Sequence, residues 1–222
     1  VYAADDAGFP YGRLSEDALR ERVVAVMERL IARYAPDLVV IACNTASTLV
    51  LPALRARFPL PFVGTVPAIK PAAEASATRM FSVLATPGTV ARDYTQDLVA
   101  AYAGDCRVTL VGSRRLAAHA EAELAGEPVP DAALAEEIGP CFVAEGGRRT
   151  DTIVLACTHY PLLTRRLAAV APWPVTWIDP APAIARRVGQ ILGPPTAEPP
   201  HLAPEEPVAV FTAEAGPSPA LR

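Results

Sequence analysis

Short apolar runs alternate along the chain with longer segments in which apolar positions recur every three to four residues. The runs predict buried strands at residues 2–4, 38–42, 62–64, 80–85, 108–111, 152–156, 175–178 and 208–211. The longer segments predict helices at residues 16–34, 48–58, 67–77, 90–103, 114–125, 131–145, 161–171 and 181–192. Most of the strand runs are continuously apolar, which is typical of parallel sheets covered by helices on both faces. The predicted fold class is therefore α/β with mainly parallel sheets.

The strand and helix pattern restarts near Val66, which predicts two similar α/β domains that face each other across a cleft. We expect the first domain to be discontinuous, and the predicted segments are residues 1–65 plus 176–216 for the first domain, 66–175 for the second and 217–222 for a disordered tail. Residues 193–206 are rich in Pro and Glu and are interpreted as a linker. Pro140 is expected to kink or split the helix at 131–145.

Composition excludes several classes of protein. With 222 residues and 51% hydrophobic content, the chain can bury a sizeable core. A net charge of −4 without a basic cluster argues against nucleic acid as the partner. No apolar run has the length of a membrane-spanning helix, and no signal peptide is evident. The four widely spaced cysteines indicate reduced thiols in a cytoplasmic protein rather than a disulfide framework.

Candidate chemistry lies at the ends of two predicted strands. Each strand ends in Ala-Cys and small polar residues, Ala42-Cys43-Asn44-Thr45 in one case and Ala156-Cys157-Thr158-His159 in the other. Ligands bind at the carboxyl ends of parallel strands, and a helix N-terminus that follows such an end favours a thiolate. The polar neighbours can hold a small carboxylate, and His159 can stabilise a thiolate or relay a proton.

Other interpretations of the cysteines remain open at this point. A buried cysteine is most often a small hydrophobic residue, which is our interpretation of Cys106 and Cys141. A structural zinc site would need cysteines two to four residues apart, and the sequence has no such pair. A hydrolase with a single cysteine nucleophile explains Cys43, or Cys157 with His159, but leaves the duplication unexplained. Two equivalent thiols on facing domains suit proton transfer at both faces of one carbon atom.

The chain resembles the glutamate racemase family in several stretches. Residues 42–47 and 156–163 resemble its two cysteine motifs, residues 5–12 a loop after its second strand, residues 85–90 the start of its second domain and residues 211–212 its final strand. Asp6 and Gly8 depart from this pattern, since the family commonly has Thr and Arg there. Aspartate racemases typically have His at the position of Ser47 and Glu at that of His159, so they are a weaker match.

The resemblance implies a cofactor-independent isomerase that interconverts L- and D-glutamate in the bacterial cytoplasm and supplies D-glutamate for peptidoglycan. It implies acid/base roles for Cys43 and Cys157. The residues expected to bind substrate are Tyr11, Gly12, Asn44, Thr45, Thr158 and His159. Asp5 and Glu121 are candidate assisting residues. The resemblance implies no metal, no nucleic-acid partner and no membrane, and it makes a homodimer the candidate assembly.

One departure affects the expected activity. The family opens with a strand and an Asp-Ser-Gly motif that this chain does not contain. We therefore expect a further segment before Val1, of roughly 30 residues if it forms one βα unit. The alternatives are an inactive truncated derivative, an aspartate-type racemase, or a decarboxylase that uses one thiol.

Overall fold

The computed structural model describes residues 1–11, 14–194 and 206–213. Its strands are β1 (Tyr2–Ala4), β2 (Val39–Ile41), β3 (Phe62–Gly64), β4 (Met80–Ala85), β5 (Arg107–Gly112), β6 (Ala144–Glu145), β7 (Arg148–Arg149), β8 (Thr152–Ala156), β9 (Thr176–Ile178) and β10 (Ala209–Phe211). Its helices are α1 (Glu16–Tyr34), α2 (Asn44–Arg57), α3 (Ile69–Ala75), α4 (Pro87–Val90), α5 (Asp93–Tyr102), α6 (Leu116–Leu124), α7 (Asp131–Ile138), α8 (Thr164–Val170) and α9 (Ala181–Leu192). Within these ranges no helix combines the length and apolarity that crossing a membrane requires.

The largest sheet has the strand order β5-β4-β8-β9, with all three pairings parallel. Every residue of β4 and β8 is buried, as expected for central strands covered on both faces. One face packs against α6, α7 and α8 through a cluster that includes Leu116, Leu134 and Leu167. The other face packs against α3 and α5 through a cluster that includes Ile69 and partly buried Leu98. This arrangement confirms the predicted α/β fold class.

The sheet extends beyond the boundary that the sequence suggested. Strand β9 pairs with β8 in parallel, with Val154 opposite Ile178. The sequence-based division at 175/176 placed this strand in the first domain, whereas its hydrogen bonds belong to the four-stranded sheet. The chain returns to the first unit only with α9, which contacts β3. The prediction took the restart of the apolar pattern as a guide, and that pattern does not reveal which sheet a strand joins.

The first unit is built from two parallel strand pairs, β2 with β3 and β1 with β10. Helices α1 and α2 cover the first pair, and their apolar faces meet in a buried cluster that includes Leu19, Val23, Val50 and Leu54. The edge strand predicted at 208–211 is present as β10. The predicted tail at 217–222 and most of the predicted linker lie outside the described residues.

Several predicted helices differ from the observed ones, and two of the differences have a clear local cause. Helix α2 begins at Asn44, four residues before the predicted start, because Cys43 forms its N-cap. The predicted helix at 131–145 ends at Ile138, and a 3₁₀ turn at Gly139–Cys141 contains Pro140. The antiparallel hairpin β6–β7 follows, and its turn residues Gly146 and Gly147 have φ values of 58° and 75°. A two-residue turn in which both φ values are positive favours glycine, so the Gly146-Gly147 pair in the sequence is the local signal for this hairpin.

Replacement of Leu54 by Ala should destabilise the first unit. Leu54 is fully buried between α1 and α2, so the substitution leaves a cavity and should lower the free energy of unfolding by about 2–5 kcal/mol. The measurement is urea unfolding followed by circular dichroism. Leu124→Ala is the matched control, since Leu124 is 50% exposed in α6 and its loss should cost under about 1 kcal/mol. Equal losses in the two variants would contradict this packing.

Candidate active site

Cys43 lies where strand β2 passes into helix α2. Its backbone is extended, with φ −155° and ψ 120°, and its Sγ accepts a hydrogen bond from the backbone N–H of Ala46 at 3.5 Å. Ser47 fixes this junction, because its hydroxyl donates to the Ile41 carbonyl and accepts from the Thr65 N–H, both at 3.0 Å. The thiol therefore faces the positive end of a 14-residue helix.

The environment of Cys43 acts on its pKa in two opposite ways. Burial raises the pKa of the thiol, while the N–H groups of Ala46 and Thr45 and the Thr45 hydroxyl lower it. Burial prevails, so the pKa lies above its ordinary value. The thiol of the ligand-free protein is thus protonated at neutral pH, with hydrogen-bond donors already in place for a thiolate.

Cys157 follows the last residue of β8 and is 7% exposed. The predicted helix at 161–171 begins instead as a 3₁₀ turn, Tyr160–Leu163, and becomes α-helical only at Thr164. The dipole of a long helix is therefore missing at this thiol. Burial raises the pKa of Cys157 to about 12, against the opposing effect of the His159 N–H; a charge on Cys43 raises it further.

His159 connects Cys157 with a carboxylate. Its Nδ1 lies 3.8 Å from the Cys157 Sγ, and its Nε2 lies 2.7 Å from Oε1 of Glu121 on α6. When Nε2–H donates to Glu121, the lone pair of Nδ1 faces the thiol and can accept its proton. The imidazole also packs against the ring of Phe9 from the first unit, with 5.7 Å between ring centroids. The structure thus brings together Cys157, His159 and Glu121.

The two cysteine-bearing turns meet each other. The hydroxyl of Thr158 donates to the carbonyl oxygen of Ala42 at 3.3 Å, so the residue after Cys157 contacts the residue before Cys43. This bond links the carboxyl ends of β8 and β2, which belong to different sheets. The candidate acid/base thiols therefore lie at one site formed by both units.

Sequence reasoning missed two residues of this site, Thr86 and Thr89. The Thr45 hydroxyl lies 2.8 Å from that of Thr86 and 3.3 Å from that of Thr89, and the latter two are 3.0 Å apart. Thr86 caps α4 by accepting from the Thr89 N–H. The signal was present, since Thr-Pro-Gly-Thr follows a predicted strand at the end where ligands bind.

The buried side-chain amide of Asn44 is suited to binding a ligand. The residue is 2% exposed, and neither Nδ2 nor Oδ1 of its amide has a hydrogen-bond partner among the described residues. Buried amide groups are nearly always hydrogen-bonded, and an exception in a cleft indicates a partner that binds there. A small molecule with both a carboxylate and an ammonium group could supply both bonds, because the carboxylate accepts from Nδ2 and the ammonium donates to Oδ1.

Among the remaining predicted residues, Tyr11 and Asp5 lie on the first-unit side. Tyr11 donates its hydroxyl to Oδ2 of Asp5 at 2.6 Å, and burial raises the pKa of the phenol, with Asp5 adding to the effect. Gly12 lies outside the described residues. Over the ranges that the structure describes, no group of three or more His, Cys, Asp or Glu side chains could hold a metal ion.

Comparison with known proteins defines the family. The sequence profile of the Asp/Glu/Hydantoin racemases matches residues 2–188. The chain belongs to the Asp/Glu/Hydantoin racemase family. Glutamate racemases are 54–58% identical to it over most of its length, so the chain is an isomerase that acts as an amino-acid racemase.

Individual relatives of this racemase are glutamate racemases. The enzyme of Brucella anthropi is 58% identical over 199 residues, which cover 89% of this chain and 72% of that protein. The enzyme of Brucella ovis is 54% identical over 213 residues, which cover 96% of this chain and 76% of that protein. The structure of Escherichia coli glutamate racemase with L-glutamate and the activator UDP-MurNAc-Ala matches with a TM-score of 0.86 at 42% identity, over 99% of this chain and 80% of that one. The resemblance inferred from the sequence and the two-domain α/β architecture are confirmed.

The racemase without substrate should show a Cys157 thiol that resists ionisation. Burial raises its pKa to about 12, so this thiol should not ionise between about pH 7 and pH 10. The difference in thiolate absorbance between the parent protein and Cys157→Ser should therefore show no step across this range. Ultraviolet difference titration of the two proteins measures this. The same pair unfolded in urea is the control and should show a step near an ordinary cysteine pKa of about 8.5. A step at that pH in the folded pair would contradict the inferred environment.

Proposed function

We propose that this racemase interconverts L- and D-glutamate with two cysteines as the acid and the base. The observation that carries the proposal is the hydrogen bond from Thr158 to Ala42, which joins the two cysteine-bearing turns. The relatives supply the substrate, since they are glutamate racemases and the Escherichia coli structure contains L-glutamate. The unpartnered amide of Asn44 and the N-terminus of α2 are suited to an amino acid's carboxylate.

The proposed reaction needs only proton transfers. One cysteine, as thiolate, removes the proton from Cα, and the C–H electron pair stays on the substrate as a carbanion stabilised by the α-carboxylate. The other cysteine, as thiol, donates its proton to the opposite face of Cα and becomes the thiolate. The roles reverse for the other enantiomer, so both groups must be able to hold and release a proton.

The resting protein holds a proton on each thiol, so one of them must ionise when substrate binds. For Cys157 the acceptor is His159, whose Nδ1 lies 3.8 Å from the sulfur and whose other nitrogen is held by Glu121. For Cys43 the backbone N–H of Ala46 and the N-terminus of α2 stabilise the thiolate. Each thiol thus has its own means of supporting the charged form.

We infer the biological setting from the same resemblance. The reaction would supply D-glutamate for peptidoglycan in the bacterial cytoplasm, with a homodimer as the assembly to test. The substrate-binding set would comprise Tyr11, Gly12, Asn44, Thr45, Thr158 and His159, extended by Thr86 and Thr89 because their hydroxyls contact Thr45.

Conversion of either cysteine to serine should abolish racemisation in both directions. A serine hydroxyl is a far weaker acid than a thiol, and the loss should reach at least about 10²–10⁴-fold in kcat, the usual contribution of a general acid or base. Circular dichroism of L- and D-glutamate follows the conversion, and NMR follows solvent-deuterium exchange at Cα.

Cys106→Ser is the matched control, because Cys106 lies after α5, where it packs against the hydrophobic cluster of the second unit and its thiol donates to Asp105. Near-parental activity in either active-site variant would instead support an enzyme that uses a single thiol. No deuterium incorporation into either enantiomer by the parent protein would overturn the proposed reaction.

Replacement of Glu121 by Gln should slow the reaction without abolishing it. The carboxylate orients His159 toward Cys157, and hydrogen bonds to charged groups contribute about 1.5–3 kcal/mol, so kcat should fall about tenfold or more. Glu123→Gln is the matched control on the same helix, since Glu123 pairs with Arg166. Steady-state kinetics across pH separates them, and equal effects of both variants would contradict the role of Glu121.

A further inference from the structure

We propose that Arg22 and Thr212 are positioning residues which, through the Asp5 carboxylate, hold the Tyr11 hydroxyl on the Cys43 side of the site. The inference rests on the proposed function for the role of Tyr11 toward substrate. The group formed by Asp5, Tyr11, Arg22 and Thr212 is called the Asp5 cluster below.

The Asp5 cluster is held by four short hydrogen bonds. Oδ1 of Asp5 accepts from Nη2 of Arg22 at 2.7 Å and from the Thr212 hydroxyl at 2.6 Å. Oδ2 accepts from Nε of Arg22 and from the Tyr11 hydroxyl, both at 2.6 Å. The guanidinium is thus bidentate, an arrangement that fixes the plane of a carboxylate as well as neutralising its charge.

These bonds determine what Asp5 can do. A carboxylate offers about four lone-pair positions, and all four are occupied here. Burial raises the pKa of Asp5, but the bonds from Arg22, Thr212 and Tyr11 outweigh it, and the pKa lies below its ordinary value. Asp5 therefore stays ionised and has no position left for a proton from substrate. Its role is to position Tyr11, not to act as an acid or a base.

The cluster joins three segments that are far apart in sequence. Asp5 follows β1, Arg22 lies on α1, and Thr212 follows β10. The neighbouring Asp6 holds the backbone of the last segment, because its Oδ1 accepts from the N–H groups of Thr212 at 2.9 Å and Ala213 at 2.8 Å. These backbone hydrogen bonds fix the position of Thr212, so that its side chain reaches Asp5.

The space around the cluster is filled. A Cβ placed on Gly8 would lie 2.6 Å from Nε of Arg22, 2.7 Å from a ring carbon of Tyr11 and 2.8 Å from Oδ2 of Asp5. These distances are shorter than real side chains tolerate. The absence of a side chain at position 8 is therefore what lets Arg22 reach Asp5 beside the Tyr11 ring.

Tyr11 connects the cluster to the candidate chemistry. Tyr11 and Cys43 pack against the same hydrophobic cluster under α1 and α2. The Tyr11 proton is committed to Asp5, so its oxygen can only accept a further hydrogen bond. An acceptor held at this place suits the ammonium group of an amino acid.

A double-mutant cycle tests whether Arg22 and Thr212 act through Tyr11. Arg22→Met and Thr212→Val should each lower kcat/KM for racemisation about tenfold in the parent protein, the scale of one hydrogen bond to a charged group. In a Tyr11→Phe background the same changes should have little further effect. Thr212→Ser should restore the parental value. Arg20→Met is the matched control, because Arg20 lies on the same helix and pairs with exposed Asp17.

Additive losses in the two backgrounds would overturn the inference, since a purely structural contribution does not depend on the Tyr11 hydroxyl. A Thr212→Ser variant as impaired as Thr212→Val would overturn it as well. Both Thr212 variants retain the backbone bonds to Asp6, so their folding can be verified by the same circular dichroism spectrum.

A second measurement does not require activity. NMR of protein labelled with ¹³C at the tyrosine ring follows ionisation of each phenol, and Tyr11→Phe identifies the Tyr11 signal. The parent signal should stay neutral through about pH 10, the ordinary tyrosine pKa, and Asp5→Asn should lower that pKa. If the parent protein does not racemise glutamate but the Tyr11 pKa falls in Asp5→Asn, the proposed reaction is wrong and the inferred link from Asp5 to Tyr11 is supported. An unchanged Tyr11 pKa in Asp5→Asn would overturn that link.

Discussion

Three threonine hydroxyls, of Thr45, Thr86 and Thr89, form the contact on which the geometry of the site depends. Thr45 belongs to the first turn of α2, while Thr86 and Thr89 belong to the turn that opens α4 in the second unit. Thr89 is fully buried, and a buried hydroxyl that loses its partners costs about 1–3 kcal/mol. Small shifts between the units are therefore resisted close to the place where the two cysteine-bearing turns meet.

The two thiols are supported by different means. Cys43 caps a 14-residue helix, whereas Cys157 precedes a four-residue 3₁₀ turn and has His159 and Glu121 nearby. A long helix supplies a fixed partial charge, while an imidazole supplies a group that can take the proton itself. Burial raises the pKa of both thiols, so the helix N-terminus and the imidazole each have to offset the cost of removing a thiolate from water. Both parts of the candidate site present a cysteine thiol, but each part stabilises the thiolate in a different way.

The sequence predicts the strands well because a strand buried on both faces must be continuously apolar, as β4 and β8 are. It predicts the start of α2 poorly, because residues 44–47 are small or polar and carry no apolar period, although all four are buried. The repeated motif also predicts that both cysteines lie at strand ends, and the structure has them there. The sequence does not predict that Glu121 reaches His159, or that Arg22 reaches Asp5, since those contacts depend on how separate elements pack. Local patterns carry no information about such distances.

The two candidate assisting carboxylates are distinguished by how many donors each one accepts. Asp5 has an almost fully buried side chain and four hydrogen bonds, two of them from a guanidinium, so protonation would break favourable contacts. Glu121 has a half-exposed side chain and a bond to one imidazole nitrogen, so it can respond when His159 gains a proton. The family resemblance alone made both of them candidate assisting residues, without distinguishing their roles. The donor count separates them, because all the lone pairs of the Asp5 carboxylate are occupied, whereas the carboxylate of Glu121 has a single hydrogen-bond partner among the described residues, the imidazole of His159.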